Sequence, residues 1–289
     1  MAVRRSVRRN GRRALVETVL AGRKLLGDRA LPDYVIVGAQ RCGTTSLFRA
    51  LAKHPAVIAN ALGAKGVHYF DTDYDRGLDW YRAHFPTDAQ RAQRESEVGQ
   101  PAVVGEASPY YMFHPTVIER MAAETPDTKL IVLLRDPVKR AISHHLHMVW
   151  EGHEPVEDLD QALDLESSRL EGLEEQLRAD PHFRSRDHQH FSYMARGHYA
   201  HQIERIQKHF PQEQVLIMPT KQLTSDSVAS LAKIQQFIGL EPDPAITLGK
   251  RNASDPFVPR DETVQRLSNE FAESNQALTE LLGGPVPWV

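Results

Sequence analysis

The 289-residue chain contains one cysteine, Cys42, and no long apolar run. A single thiol excludes an intramolecular disulfide framework and is typical of a reducing compartment. No stretch reaches the ~18 consecutive apolar residues of a membrane span. The arginine-rich beginning of the chain lacks the apolar segment of a secretory signal. These absences predict a cytoplasmic protein, and 41% hydrophobic residues are enough for a globular core.

Charge is distributed unevenly along the chain. Residues 1–31 contain nine lysines and arginines but only Glu17 and Asp28 as acids, which gives them a charge of +7. Since the whole chain carries −3, residues 32–289 carry −10. We interpret residues 1–31 as a basic N-terminal arm, a solvated and partly helical extension, with weak contact to an anionic membrane surface as the alternative. No nucleic-acid partner is expected.

Apolar runs alternate with helical patterns through residues 32–289. The two strongest strand candidates, Asp33–Gly38 and Lys129–Leu134, each lead through a short polar turn into a helix, Thr44–Lys53 and Val138–Trp150. This alternation predicts an α/β class, with a central, mostly parallel sheet flanked by helices in a single P-loop-like domain. Weaker strands are expected at Gly66–Phe70, Ala102–Gly105 and Gln214–Met218, and helices at Leu78–His84, Pro115–Ala123, Leu159–Leu177, Tyr199–Phe210, Ser225–Ile238 and Asp261–Leu282. The polar residues 151–192 are expected to form a lid or acceptor-side insertion.

The turn after the first strand has the G-x-x-x-x-G frame of a phosphate-binding loop, from Gly38 to Gly43. In such a loop, backbone N–H groups and a helix N-terminus hold phosphate oxygens. A Walker A motif continues with lysine, but Thr44 occupies that position and Arg41 is the nearest cation. The expected ligand is therefore a nucleotide without a γ-phosphate.

The turn after the second strong strand adds a cation and a hydroxyl. Arg135 ends this strand, at the edge where open α/β sheets bind ligands. Ser143 lies eight residues further on, about two helical turns into the next helix. Arginine binds phosphate through two parallel hydrogen bonds, so the pair is expected to hold a second phosphate. A structural alternative is that Arg135 pairs with Asp136.

These segments resemble the sulfotransferases that use 3′-phosphoadenosine 5′-phosphosulfate (PAPS), particularly the branch containing the heparan sulfate N- and 3-O-sulfotransferases. The matching segments are GAQRCGTTSLFRAL, KGVHYFD, GEASPYY and LLRDPVKRAISHH, within a similarity that runs from about Asp33 to Trp288. The resemblance implies a cytoplasmic enzyme of bacterial type. It would transfer a sulfuryl group from PAPS to a hydroxyl or amine of a small-molecule, glycolipid or saccharide acceptor. The nucleotide product is 3′-phosphoadenosine 5′-phosphate (PAP), and no metal is expected to take part.

The resemblance also implies which residues bind PAPS. The residues matched to the 5′-phosphosulfate loop are Arg41, Cys42, Gly43, Thr44, Thr45 and Ser46. The residues matched to the 3′-phosphate motif are Arg135 and Ser143. The residues near a late cofactor-binding loop are Lys250, Arg251, Asn252 and Ser254.

The expected catalytic base is less clear than the phosphate sites. Many relatives have Lys-Glu where this chain has Lys65-Gly66, and glycine cannot accept a proton. His68, expected on the same strand face as Gly66, and Glu106 are the candidates for the base. Lys65 and Arg41 are expected to neutralise charge on the departing phosphate.

Two other functions stay open at this point. A P-loop-type kinase or NTPase would require the lysine that is absent before Thr44 or Thr45. A non-catalytic nucleotide-binding module would bind the nucleotide without turning it over.

Overall fold

The computed structural model describes residues 16–24, 28–60, 63, 65–249 and 257–288. Its five strands within these residues are β1 (Tyr34–Gly38), β2 (Val57–Ile58), β3 (Val103–Glu106), β4 (Lys129–Leu134) and β5 (Val215–Pro219). They form one sheet in the order β2-β3-β1-β4-β5, and every pairing is parallel. The predicted α/β class with a central parallel sheet is confirmed.

Helices cover the sheet and fill the long connections. Residues 16–24 are helical and form α1. The helices that follow are α2 (Thr44–Leu51), α3 (Tyr69–Thr72), α4 (Leu78–Arg82), α5 (Asp88–Val98), α6 (Val117–Glu124), α7 (Pro137–Trp150), α8 (Leu159–Leu170), α9 (Leu173–Ala179), α10 (Arg186–His190), α11 (Tyr199–His209), α12 (Thr220–Ser225), α13 (Ser227–Phe237) and α14 (Asp261–Leu282). None of the helices in this part of the chain is both long and apolar enough to cross a bilayer.

Two predicted elements differ from the structure. The helix expected over Leu159–Leu177 is two helices, because Gly172 has a left-handed φ of 69° and separates α8 from α9. The strand expected over Gly66–Phe70 is wrong. The segment, with Lys65 before it, makes one backbone-to-backbone hydrogen bond to the described chain beyond β3, in which the Lys65 carbonyl accepts from Ala107 N at 2.8 Å. The Val67 N–H donates to the Glu106 carboxylate instead of a backbone carbonyl, so the ladder stops and α3 begins soon after.

The position of β1 in the centre of the sheet determines where a ligand can bind. The chain places β2 and β3 on one side of β1 and then crosses to build β4 and β5 on the other. Ligands of open α/β sheets bind beyond the carboxyl ends of the strands, where the strand order reverses. Here that point lies between the ends of β1 and β4, where Ala39 N donates to Leu133 O at 2.8 Å. All five residues of β1 are buried, as expected for a strand covered on both faces.

The segment expected as a lid or insertion packs firmly against α7. Apolar side chains of α7, α8 and α14, together with Phe191 and Tyr193, form a second hydrophobic cluster. The buried Glu154 carboxylate accepts hydrogen bonds from Arg169 at 2.6 and 3.1 Å and from the Tyr193 hydroxyl at 2.7 Å. The hydrophobic cluster links this segment to α7, and the hydrogen bonds of Glu154 hold the segment together.

Part of the predicted basic arm contacts the α/β body. Arg23 Nη2 and Arg29 Nη1 each donate to the Phe85 carbonyl at 2.7 Å. Residues 1–15, which hold six of the arginines, lie outside the described residues.

Gly105 in β3 gives a direct test of the sheet packing. A Cβ at this position would lie 2.4 Å from Cζ of the fully buried Tyr34, so the ring or the strand must shift. We expect Gly105→Ala to lower the free energy of unfolding by about 1–3 kcal/mol, the usual cost of overpacking. Gly284→Ala, where no atom lies within 4 Å, is the control. Equal denaturation midpoints for the two variants would contradict the packing.

Candidate active site

The loop after β1 is fixed by contacts between its backbone and buried side chains. Gly43 has a φ of 90°, a left-handed conformation that favours glycine, and it caps the N-terminus of α2. The carbonyl of Cys42 accepts a hydrogen bond from Thr220 Oγ1 at 2.7 Å. The first turn of α2 therefore begins at a fixed loop, and N–H groups at a helix N-terminus favour anions.

Lys65 supplies an ammonium group beside this helix. Its Nζ donates to Thr44 Oγ1 at 3.1 Å, although Lys65 is 21 residues further along the chain. Burial, followed by the charges of Arg41 and Arg49, lowers the pKa of Lys65 to about 8. A lysine from a distant loop thus reaches the helix start where the Walker lysine is missing.

The two strand-to-helix junctions meet in the structure. Arg41 Nε donates to Ser143 Oγ at 3.2 Å, and Arg135 Nη1 donates to the Arg41 carbonyl at 3.4 Å. The Asp136 carboxylate caps α7 by accepting from Val138 N at 3.0 Å. Residues from both loops therefore form one cluster rich in cations and hydroxyls.

One of the predicted PAPS-binding residues, Cys42, does not turn its side chain toward this cluster. The side chain of Cys42 is fully buried and lies 3.8 Å from the Tyr199 hydroxyl. Burial raises the pKa of the thiol, so Cys42 packs beneath the loop rather than facing a ligand. Lys250, Arg251, Asn252 and Ser254 lie outside the described residues.

His68 and Asp71 form a dyad next to the cation cluster. His68 Nδ1 lies 2.9 Å from Asp71 Oδ2, with the imidazole 40% exposed and the carboxylate fully buried. Burial alone would lower the pKa of His68. The charge and hydrogen bond of Asp71, with the charge of Glu106, outweigh burial and raise this pKa to about 9. His68 has a φ of 59°, and Arg41, at 69°, is the other described non-glycine residue with positive φ.

Glu106 is enclosed by hydrogen-bond donors. The fully buried carboxylate accepts from Val67 N at 2.6 Å, from the hydroxyls of Ser108 and Tyr81 at 2.8 Å each, and from the Tyr111 hydroxyl at 3.1 Å. Burial raises its pKa, while these donors favour the ionised form. Four donors on two oxygens are typical of a carboxylate that positions a loop, here the one leading to His68.

The packing around Gly66 explains why a glutamate cannot simply be restored there. A Cβ on Gly66 would lie 2.6 Å from Ser108 Oγ and 2.7 Å from the Ala107 carbonyl oxygen. A larger side chain would displace this backbone. The expected alignment of His68 with Gly66 on one strand face is also wrong, since His68 adopts a left-handed conformation before α3.

Arg196 connects the phosphate loop to the segment before α11. Its buried guanidinium donates to Gln40 Oε1 and to the carbonyls of His188 and Gln189. It also lies over the Tyr110 ring, 4.8 Å from the centroid. Because Gln40 immediately precedes Arg41, this side chain fixes the loop on the side opposite α2.

Sequence reasoning assigned no role to Asp71, Arg196 or Thr220. Asp71 had a local signal, because it stands three residues after His68 in KGVHYFD and this spacing brings side chains together in a helix. Arg196 and Thr220 contact the loop from 156 and 178 residues away. No local pattern indicates such contacts.

The histidines of α7 include one whose imidazole is completely enclosed. His144 is fully buried, and burial followed by the charges of Arg196 and Arg140 holds its pKa well below the usual value. Within the described part of the chain, no group of three or more His, Cys, Asp and Glu side chains is arranged to hold a metal ion.

Comparison with known proteins gives a consistent result. The family model described as "Sulfotransferase domain" matches residues 31–268. Human heparan sulfate glucosamine 3-O-sulfotransferase 3B1 is 33% identical over 215 residues, which cover 74% of this chain and 48% of that protein. The chain thus spans about half the length of this curated relative. The membrane-associated sulfotransferase kil1 of Dictyostelium discoideum is 24% identical over 322 residues, covering 89% of this chain and 66% of that protein.

A solved structure shares the fold over nearly its whole length. The crystal structure of a sulfotransferase from Alicyclobacillus acidocaldarius has a TM-score of 0.63 and 27% identity, covering 89% of this chain and 98% of that one.

The contact between Arg196 and Gln40 can be tested by a double-mutant cycle. We expect Arg196→Lys and Gln40→Ala each to destabilise the protein, with a coupling energy of about 0.5–3 kcal/mol because the two side chains are bonded. Arg205→Lys is the control, since Arg205 donates to the carbonyls of Met112 and Phe113. Urea unfolding of the single and double variants measures the coupling. Additive effects for Arg196 and Gln40 would show that the bond does not fix the loop.

Proposed function

Because this chain belongs to the PAPS-dependent sulfotransferase family, we propose that it transfers a sulfuryl group from PAPS to a hydroxyl or amine of an acceptor, releasing PAP. The observation that carries the proposal is the meeting of two phosphate-type sites, in which Arg41 Nε lies 3.2 Å from Ser143 Oγ. PAPS has phosphate groups at the 3′ and 5′ positions of its ribose, and two adjacent sites suit such a molecule. The single cysteine supports a cytoplasmic location within the same proposal.

The described residues provide separate sites for the two ends of the nucleotide. The N-terminus of α2, with Gly43 and the hydroxyls of Thr44, Thr45 and Ser46, suits the 5′-phosphosulfate. Arg135, just before α7, and Ser143, in the middle of that helix, suit the 3′-phosphate, because a guanidinium binds phosphate oxygens in pairs.

PAPS supplies the sulfuryl group together with a phosphate leaving group. The transfer breaks the bond between sulfur and the bridging oxygen of the 5′-phosphate and forms a bond from sulfur to the acceptor oxygen or nitrogen. By analogy with phosphoryl transfer, negative charge builds on the departing oxygen. Lys65 and Arg41 lie at the loop that would hold this phosphate and would stabilise that charge.

His68 is the base that we propose for the acceptor proton. Its imidazole is partly exposed, whereas the Glu106 carboxylate is enclosed by four donors. Asp71 bonds to Nδ1, which leaves Nε2 for the acceptor and stabilises the imidazolium formed when the proton arrives. The strained backbone at His68 is of the kind that accumulates at functional sites.

The kinase or NTPase alternative is favoured by one observation, the approach of Lys65 to Thr44. It requires a magnesium-binding acid at the end of a strand. Asp136 has that place in sequence, but its carboxylate already caps α7. We therefore favour PAPS over ATP as the nucleotide.

Nucleotide binding separates these alternatives. We expect PAP to bind at least about 100-fold more tightly than ATP with magnesium in titration calorimetry, because only PAP carries a 3′-phosphate. Arg135→Gln should weaken PAP binding about 10- to 100-fold through loss of charged hydrogen bonds. Lys139→Ala, on the exposed side of α7, should leave it unchanged. Tight ATP binding with no response to PAP would contradict the proposal, and PAP binding without PAPS turnover would indicate a non-catalytic module.

The pH dependence of the reaction tests His68 as the base. Only the neutral imidazole accepts a proton, and the pKa of His68 is about 9. The Lys65 ammonium that stabilises the leaving group has a pKa of about 8. We therefore expect kcat/KM to rise about tenfold per pH unit, reach a maximum between the two pKa values and fall at higher pH, using the hydroxyl acceptor that turns over fastest in a mass-shift screen with PAPS.

Two variants complete this test. His68→Gln should slow turnover about 100-fold or more and remove the rise of kcat/KM with pH. Asp71→Asn should move the inflection down toward the ordinary histidine pKa of about 6.5. A flat profile in the native enzyme, or near-native turnover by His68→Gln, would exclude His68 as the base.

A further inference from the structure

The C-terminal end of α7 presents an unusually exposed aromatic side chain. Trp150 is 78% exposed, whereas Trp80 is only 7% exposed. Large aromatic side chains are normally well covered in soluble proteins, and exposed ones occur at binding surfaces. Neither the cofactor site nor the proposed base accounts for Trp150.

Trp150 lies on the same face of α7 as the cofactor contact. Ser143, His147 and Trp150 are spaced i, i+4 and i+7, which places them in one line along a helix. From Ser143, His147 is about 6 Å and Trp150 about 10 Å further along the axis, at 1.5 Å per residue. Since Ser143 contacts Arg41, this row runs from the phosphate site outward along the surface.

The two outer rings of the row are stacked in nearly parallel planes. The ring centroids of His147 and Trp150 are 6.0 Å apart, and the ring planes differ by 18°. Burial, followed by the charge of Arg41, lowers the pKa of His147, which keeps this imidazole neutral at neutral pH. A neutral imidazole beside an indole offers both an apolar face and a hydrogen-bonding edge.

Other polar groups lie near His147, and the charge of His153 is among those that lower its pKa. His153 and His190 stack with centroids 4.4 Å apart and planes 14° from parallel. Arg186 Nη2 donates to the His153 carbonyl at 2.8 Å. The surroundings therefore combine an aromatic surface with hydrogen-bonding edges and differ from the uniformly apolar lining that suits a lipid chain.

We propose that Trp150 and His147 form an acceptor subsite that stacks on the apolar face of an uncharged sugar ring. This inference rests on the proposed function and adds the class of acceptor. A pyranose ring has one apolar face and a rim of hydroxyls, which matches an exposed indole face next to an imidazole.

Tryptophan accessibility tests the subsite with PAP already bound. The probes are cellobiose and N,N′-diacetylchitobiose, two uncharged disaccharides, titrated at millimolar concentration while acrylamide quenching of tryptophan fluorescence is measured. We expect at least one of them to shield Trp150 saturably. Saturation-transfer NMR should then show about tenfold weaker binding for Trp150→Ala and nearly native binding for Trp150→Phe, which retains an aromatic ring.

The controls distinguish failure of this inference from failure of the proposed function. Val228→Ala, which truncates an exposed side chain on α13, should bind the sugar normally, and Trp150→Ala should bind PAP within twofold of the native protein. The subsite is refuted if neither disaccharide shields Trp150, or if the only molecule that does so is octanol, a probe for a general apolar site. It is also refuted if shielding depends on protein concentration alone, because Trp150 is then covered by a second copy of the chain. Failure of the native protein to bind PAP would refute the proposed function itself.

Discussion

The parallel pairing of β1 with β4 is the constraint on which the candidate site depends. Because these strands are neighbours and run in the same direction, the two loops that follow them leave the same edge of the sheet side by side. One loop begins α2 and the other begins α7, so each delivers a helix N-terminus to that edge. The bond from Arg41 to Ser143 then joins the loops directly. Neither loop alone suits a nucleotide with phosphates at two positions of its ribose, whereas the adjacent pair does.

Cations dominate this edge, and the carboxylates near it are committed to other contacts. Burial and neighbouring arginines lower the pKa of Lys65 because they disfavour its ammonium form. An anion bound nearby would favour that form. Asp71 bonds to His68, and Glu106 accepts four hydrogen bonds that fix the loop between Lys65 and His68. The arrangement suits an anionic nucleotide and leaves the partly exposed imidazole of His68 as the side chain that we propose as the base. The backbone around Gly66 leaves no room for a larger side chain. The base that we propose therefore comes from another position of the same loop.

The sequence predicted the parts of this site that are local in the chain. The alternation of apolar runs and helical patterns was sufficient for the α/β class, and the residues around Gly43 and Arg135 were found from the strand-to-helix junctions. The prediction failed where a side chain competed with the backbone, as at Val67, whose N–H bonds to Glu106 and ends the expected strand. It also could not find Arg196, because the contact with Gln40 spans 156 residues. Cys42 looked like part of the binding loop in sequence, but its side chain points into the core, which only packing determines.

The most direct test of the central claim is a crystal structure of the protein with PAP. The account predicts one PAP molecule that bridges both junctions, with its 5′-phosphate at the first turn of α2 and its 3′-phosphate within hydrogen-bond distance of Arg135 and Ser143. Lys65 Nζ should lie beside the 5′-phosphate. A nucleotide bound with its 3′-phosphate in solvent, or held away from the edge between β1 and β4, would contradict the account.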